Sequence, residues 1–245
     1  MQTRFSRPRA PIVIGLTATI ALLHLACAPA TTTFYDPEIP EPLAAIIAGS
    51  DAIEIGPNDP MFAVEPGTVV DDLAGLHDCW AAYRIHTAPP DSTDPPPGTP
   101  TWETYEFFSF DTATGQATCQ TYARMLTQAF ATARSQEGTF SLAAANRLLF
   151  QVTTTRTSDP ITGKTYTLPA DLEQMFADYL AIGLPYDAQQ QQALRNQFSS
   201  PETLTYLATR DGDRVKLVPV QTTAGNDETA DAEGAMICAR ITCPE

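Results

Sequence analysis

The sequence predicts a mainly β protein: a closed or nearly closed antiparallel up-and-down barrel of about eight strands with an inserted helical pair. A β-sandwich of the same strands is the alternative. Three observations carry this expectation. Runs of alternating apolar and polar residues recur at meander spacing between Cys79 and Thr242, divided by turn-forming residues. Two of the divisions, Asp111-Thr112-Ala113-Thr114-Gly115 and Asp211-Gly212, are hairpin signals. A helical period replaces the strand period in one place, between Leu172 and Phe198.

At the start of the chain, Arg4, Arg7 and Arg9 precede an apolar run from Ile12 to Ala26 and then small residues, the three parts of a secretory signal. The run falls short of the ~20 residues that span a bilayer, so residues 1–26 are expected to be a cleaved signal. Leu25-Ala26-Cys27 resembles the lipobox of bacterial lipoproteins. That resemblance implies lipidation of Cys27 as the first mature residue and a place in the bacterial cell envelope, on the periplasmic side or at the outer membrane. Cleavage after Ala30 is the alternative.

Residues 28–69 are rich in Pro, Thr and acids, as in Asp36-Pro37-Glu38-Ile39-Pro40-Glu41-Pro42, and read as a tether. A short helical piece at Leu43–Ala48 and a strand at Ala52–Ile55 interrupt it, and these apolar pieces are expected to dock on the domain. The β domain spans 70–220. Its first strand, Cys79–Ile85, alternates cleanly, and the Pro-rich stretch 89–100 is an exposed loop because it cannot hold a ladder.

The hairpin Trp102–Leu126 is the centre of the prediction. On its return strand Ala117, Cys119, Thr121, Ala123 and Met125 share one face. On its outgoing strand Tyr105 and Phe107 have one parity, Phe108 and Phe110 the other. A bulge near Phe107 is therefore expected to bring all four rings to the core. Ala129–Gln136 reads as a helical turn or a loop. Thr139–Leu142 and Leu148–Thr154 form a strand pair, and Lys164–Leu168 is a short strand after the turn Ser158–Gly163.

Leu172, Met175, Phe176, Tyr179 and Leu180 then recur at amphipathic-helix spacing, stopped by Gly183 and Pro185. A polar helix, Asp187–Phe198, follows. This pair is the insertion at 170–200, and its apolar face is expected to cover one barrel mouth. Thr203–Arg210 and Asp213–Val218 flank Asp211-Gly212. Residues 221–245 form an acidic tail with two cysteines, loose to 235 and ending in a short strand, Ala235–Thr242.

The net charge of −15 falls to −18 once the signal takes away three arginines and no acids. A surface this acidic repels nucleic acid and anionic headgroups, which excludes nucleic acid as a partner and leaves a lipid anchor as the membrane attachment. Cys79, Cys119, Cys238 and Cys243 form an even set in an exported protein, which predicts two disulfides. Cys79 and Cys119, two strands apart in a meander, exceed the ~7 Å Cα limit. Each tail cysteine is thus expected to tie back to one core cysteine. With no CxxC pair and few histidines, zinc is not expected.

The order of features resembles the lipocalin-like domains of bacterial envelope lipoproteins. The similar pieces are Leu73-Ala74-Gly75 with Trp80, Phe108-Ser109-Phe110-Asp111 with Gly115, Gly138-Thr139-Phe140 with Leu148-Leu149-Phe150, and Tyr206 to Leu217. They span residues 70–218, with the helical pair as an insertion. The resemblance implies a small barrel able to hold an apolar ligand.

No nucleophile elbow, phosphate loop or dinucleotide fingerprint is present, so neither catalysis nor a cofactor is expected. His77-Asp78-Cys79 has the residue types of a thiol hydrolase, but strand neighbours point to opposite faces. Asp231, Glu233 and Gly234 only echo a calcium loop, so no metal site is assigned. The candidate lining for a small apolar ligand is Tyr83, Tyr105, Phe107, Phe110 and Phe150 from the strands, with Met175, Phe176 and Tyr179 from the helix. The competing expectation is a barrel filled by its own side chains, acting as a structural or protein-interaction component of the envelope, with the protein partner unknown.

Overall fold

Two turns of one construction, at 111–115 and 159–163, each fold a hairpin. In each, an aspartate opens the turn and a glycine with positive φ closes it. Asp111 accepts from the Ala113 amide (2.9 Å) and the Thr114 hydroxyl (2.7 Å), and Gly115 has φ +71°. Asp159 accepts from the amides of Ile161 (2.8 Å) and Thr162 (2.9 Å), and Gly163 has φ +68°. The side chain organises the loop and the glycine tolerates the left-handed residue that ends it.

The computed structural model describes residues 34–49, 54–55, 59, 61, 73–143, 146–222, 228–230 and 235–243. The expected signal at 1–26, Cys27, Ala30 and the calcium-loop echo at 231–234 lie outside them. The strands are β1 (Asp78–Thr87), β2 (Pro100–Asp111), β3 (Gln116–Met125), β4 (Ala131–Ala143), β5 (Arg147–Asp159), β6 (Lys164–Leu168), β7 (Glu202–Asp211), β8 (Arg214–Thr222), β9 (Glu228–Ala230) and β10 (Met236–Ile241). The helices are α1 (Leu43–Gly49), α2 (Leu172–Ala181) and α3 (Ala188–Gln197).

The sheet runs β10-β1-β2-β3-β4-β5-β7-β8, and β8 pairs back to β10, which closes an antiparallel barrel of eight strands. β6 lies off this ring on β5, and β9 lies on β8 within the stretch expected to be a loose connection.

Cross-strand register sorts the side chains into two faces. Trp80, Ala82, Phe108, Phe110, Ala117, Cys119, Phe140, Leu148, Phe150, Tyr206, Ala208, Val215, Leu217 and Cys238 pack together inside the barrel. Trp80 is fully buried and its indole N–H donates to the Leu76 carbonyl (3.1 Å). Register between β1, β2 and β3 is unbroken from Asp78 to His86, so the bulge expected near Phe107 does not form. Phe108 and Phe110 point in, while Tyr105 and Phe107 point out. The pleat is obeyed, and a different layer covers the outward rings.

That layer is the stretch read as a tether. Leu43 and Ile46 of α1 are buried against Cys79, Ala81 and Phe107, with Ile39, Ile47, Tyr105 and Tyr122 around them. Gln120, 3% exposed, accepts from the Leu43 amide (3.1 Å) and donates to the Glu41 carbonyl (2.8 Å). Further along, Ser158 donates to the Glu38 carbonyl (3.1 Å), and Phe34 meets Phe130 edge-on at 5.3 Å. Residues 34–49 thus cross the outside of the barrel as a strap.

Of the residues read as a helical turn or loop, Ala129–Gln136, those from Ala131 onward are instead the first half of β4, paired to β3. Two reasons hid this strand. Its inward positions are Thr132, Arg134 and Gln136, and its outward positions are the small Ala131, Ala133 and Ser135. An apolar–polar alternation is therefore missing although most of the strand is buried.

The cysteine expectation is half corrected. Cys79 and Cys243 form a disulfide with Cα atoms 5.1 Å apart, but Cys119 and Cys238 are buried free thiols. The ladders explain the split, since Cys79 is on the outer face with Ile241 while Cys119 and Cys238 share the interior. Among the described residues, no helix is long and apolar enough to cross a membrane.

Candidate functional site

The eight side chains expected to line one ligand cavity are distributed over three places. Tyr83, Tyr105 and Phe107 are on the outer face, and Phe107 lies under α1. Phe110 and Phe150 are in the barrel core. Met175, Phe176 and Tyr179 pack with Ile161, Tyr166, Leu168, Leu172, Tyr186 and Leu194 in a separate cluster. Inside the barrel, Phe108, Phe110, Ala117, Cys119, Leu148, Phe150, Tyr206 and Leu217 close together with no space for a water molecule. The aromatic half of the interior is core.

The helical insertion does not lie over that core. Tyr166 and Leu168 of β6 are opposite Thr157 and Thr155 and so share their inward face, and α2 packs on it. A hydrogen-bond set fixes the helix: Tyr179 donates to Asp159 (2.5 Å), Tyr166 donates to Asp178 (2.9 Å), and Lys164 pairs with Asp178 (2.7 Å). α3 is held by a capping box between Asp187 and Gln190, and Arg195 clamps Glu173 of α2 through two bonds of 2.7 and 3.0 Å.

The other half of the interior is polar. Following the inward parity of β2 outward from Phe110 gives Phe108, Glu106, Thr104 and Trp102, a change from apolar to polar along one face. Arg84 on β1 is 3.8 Å from Glu106 and donates to the Ala235 carbonyl (3.1 Å). His86 bonds Thr104 at 2.9 Å. On the facing strands, Arg134 and Gln136 each reach Oε2 of Glu202 at 3.4 Å, and Arg134 Nε is buried without an acceptor among the described residues.

Burial dominates the protonation of these groups. It raises the Glu106 carboxyl against the pull of Arg84, pushes the Cys119 thiol up to about 12, and lowers His86 to about 4 with help from Arg84. A thiol this deep and this weakly acidic is no nucleophile. No group of three or more His, Cys, Asp or Glu residues able to hold a metal ion occurs among the described residues.

One concavity lies in the wall beside this polar half, with Glu202 common to both. β5 pairs with β7 up to Val152 and with β6 from Thr155, so on that edge Thr153 and Thr154 have no ladder partner. Thr153 is also the extra residue opposite the Glu137/Gly138 irregularity of β4. The gap opens as a cleft of about 180 Å³, floored by Val152, Thr155 and Leu168 and rimmed by the 197–202 segment that leads from α3 into β7. Glu202 lines it while holding Arg134 and Gln136. Sequence reading placed some of these residues in strands and a helix but assigned none of them to a site. Their signal was a polar side chain at inward parity in a buried strand.

The fold and these sites define an antiparallel eight-stranded barrel with an aromatic core, a charged inner half and a breach in its wall. No family model matches the chain, and no curated protein matches it.

Proposed function

We propose that the protein is an exported, lipid-anchored barrel of the bacterial cell envelope that acts through its outer surface, as a structural or protein-interaction component, rather than as a carrier with a central pocket. The observation that carries this reading is the filled aromatic core. A carrier needs several hundred cubic ångströms of largely apolar space. The small-apolar-ligand reading finds less support, because its eight lining residues point to three separate regions. The export half of the proposal rests on the basic, apolar and small-residue order of positions 1–30 and on the lipobox-like Leu25-Ala26-Cys27.

Titration of the protein with a long-chain apolar dye tests the filled-core reading. The expected outcome is no saturable binding and unchanged tryptophan emission in a Trp102→Phe variant, which leaves Trp80 as the reporter. Stoichiometric binding that alters that emission would restore the carrier reading. Crosslinking in intact cells is expected to recover a defined partner, and recovery of monomer alone would count against an interaction role. Radiolabelled-lipid incorporation that disappears in Cys27→Ser checks the anchor.

A further inference from the structure

The breach beside Glu202 has the features of a binding site, and it is independent of the envelope role proposed above. Its volume of about 180 Å³ is slightly larger than the ~150 Å³ cavity that accepts a benzene ring. Val152, Leu168, Pro169 and Phe198 supply apolar wall. Thr153 and Thr154 present backbone that no strand covers on this side. Glu202 supplies the charge. Its Oε2 is fixed by Arg134 and Gln136, and its Oε1 has no partner among the described residues.

We propose that this cleft binds a small apolar amine, one ring or short alkyl chain in size, with its ammonium on Oε1 of Glu202 and its apolar body against Leu168, Val152 and Phe198. The sign of the head group follows from the charges. Arg134 is engaged with Oε2 from inside the barrel, so the acceptor available to the cleft is a carboxylate oxygen, which favours a donor and repels an acid. The net charge of −15 concentrates cations over anions near the whole surface. The ring at Phe198 and the limited volume favour a compact apolar body over an extended chain.

The test uses benzylamine, benzyl alcohol and benzoate as probes on the full mature protein, read by amide shift changes in two-dimensional NMR. Benzylamine is expected to give saturable shifts confined to residues 152–155, 168–169 and 197–202. Benzyl alcohol should bind about tenfold more weakly, a difference of ~1.4 kcal/mol, and benzoate should not bind. Ser200→Trp, at an exposed rim position, is expected to fill the cleft and abolish the shifts while leaving the rest of the spectrum unchanged. Glu202→Gln should remove the preference for amine over alcohol. If Glu202→Gln fails to fold because Arg134 is left uncompensated, the probe series and Ser200→Trp decide alone. Shifts that never saturate, that map elsewhere, that appear equally with benzoate, or that survive Ser200→Trp would overturn the proposal.

Discussion

His86 and Glu106 face the same polar half of the barrel from neighbouring strands, and burial moves their protonation in opposite directions. With a folded pKa of about 4 against an ordinary 6.5, His86 refuses a proton that the unfolded chain accepts. It therefore contributes a loss of stability as pH falls from about 6.5 to about 4, levelling off below. Glu106 holds its proton more tightly when folded, so it works against this loss over the acid range. His86→Gln, which cannot charge, is expected to flatten the acid slope, measured as the urea midpoint between pH 7 and pH 4.

Two other residues make sharp tests at this scale. A Cβ on Gly138 would lie 2.0 Å from the Gln151 carbonyl oxygen across the β4–β5 irregularity. The backbone must move to admit it, so Gly138→Ala is expected to cost about 2–3 kcal/mol, seen as a lowered Tm. Cys119 and Cys238, buried and shifted upward by burial, should resist a maleimide until denaturant is added. Peptide mass mapping checks this.

At the scale of elements, the strap buries its apolar face on the outside of the barrel, and the helical insertion buries its own against the inward face of β6. Gln120 is the hinge point of the strap, since its amide meets both a donor and an acceptor of the chain entering α1. Gln120→Leu leaves those two backbone groups unsatisfied and should cost about 2 kcal/mol. Faster hydrogen exchange confined to residues 41–47 and earlier proteolysis there are the expected signs. Reading the sequence recovered the strands whose two faces differ, such as β1, β3 and the β7–β8 hairpin, and it placed α2 and α3 by their apolar period and stop residues. It failed where both faces are covered. β4 has a polar inward row and a small outward row, and for the segment 34–49 the docking of its helical piece was expected while the place, on the outer face over Phe107, is set by long-range contacts that local sequence does not encode. The cleft was invisible for a related reason: it exists because β5 changes partners at Thr153, and partner choice is not written in local periodicity.

For the whole molecule, the Cys79–Cys243 disulfide ties the first barrel strand to the residue just past the last one, across a separation of 164 residues. Constraining so long a loop is worth about 2–5 kcal/mol in the unfolded-state entropy picture. Cys243→Ser is therefore expected to lower the denaturation midpoint by that order without changing the far-ultraviolet spectrum of the native state. The filled core and the charged inner half together explain why a barrel of this strand number need not be a container.

β10 makes both ladders that close the ring, with β1 through Ala239–Ile241 and with β8 through Met236–Ala239. A chain delivered from its N-terminus, by a ribosome or through a translocation channel, therefore has β1 to β8 in hand before the piece that joins them arrives. Until Met236 emerges, the edges of β1 at Cys79–Ala81 and of β8 at Arg214–Leu217 lack the strand that pairs with them, the condition under which neighbouring copies exchange strands. The keystone arrives last, and the interval before it is when the protein is most open to misassembly.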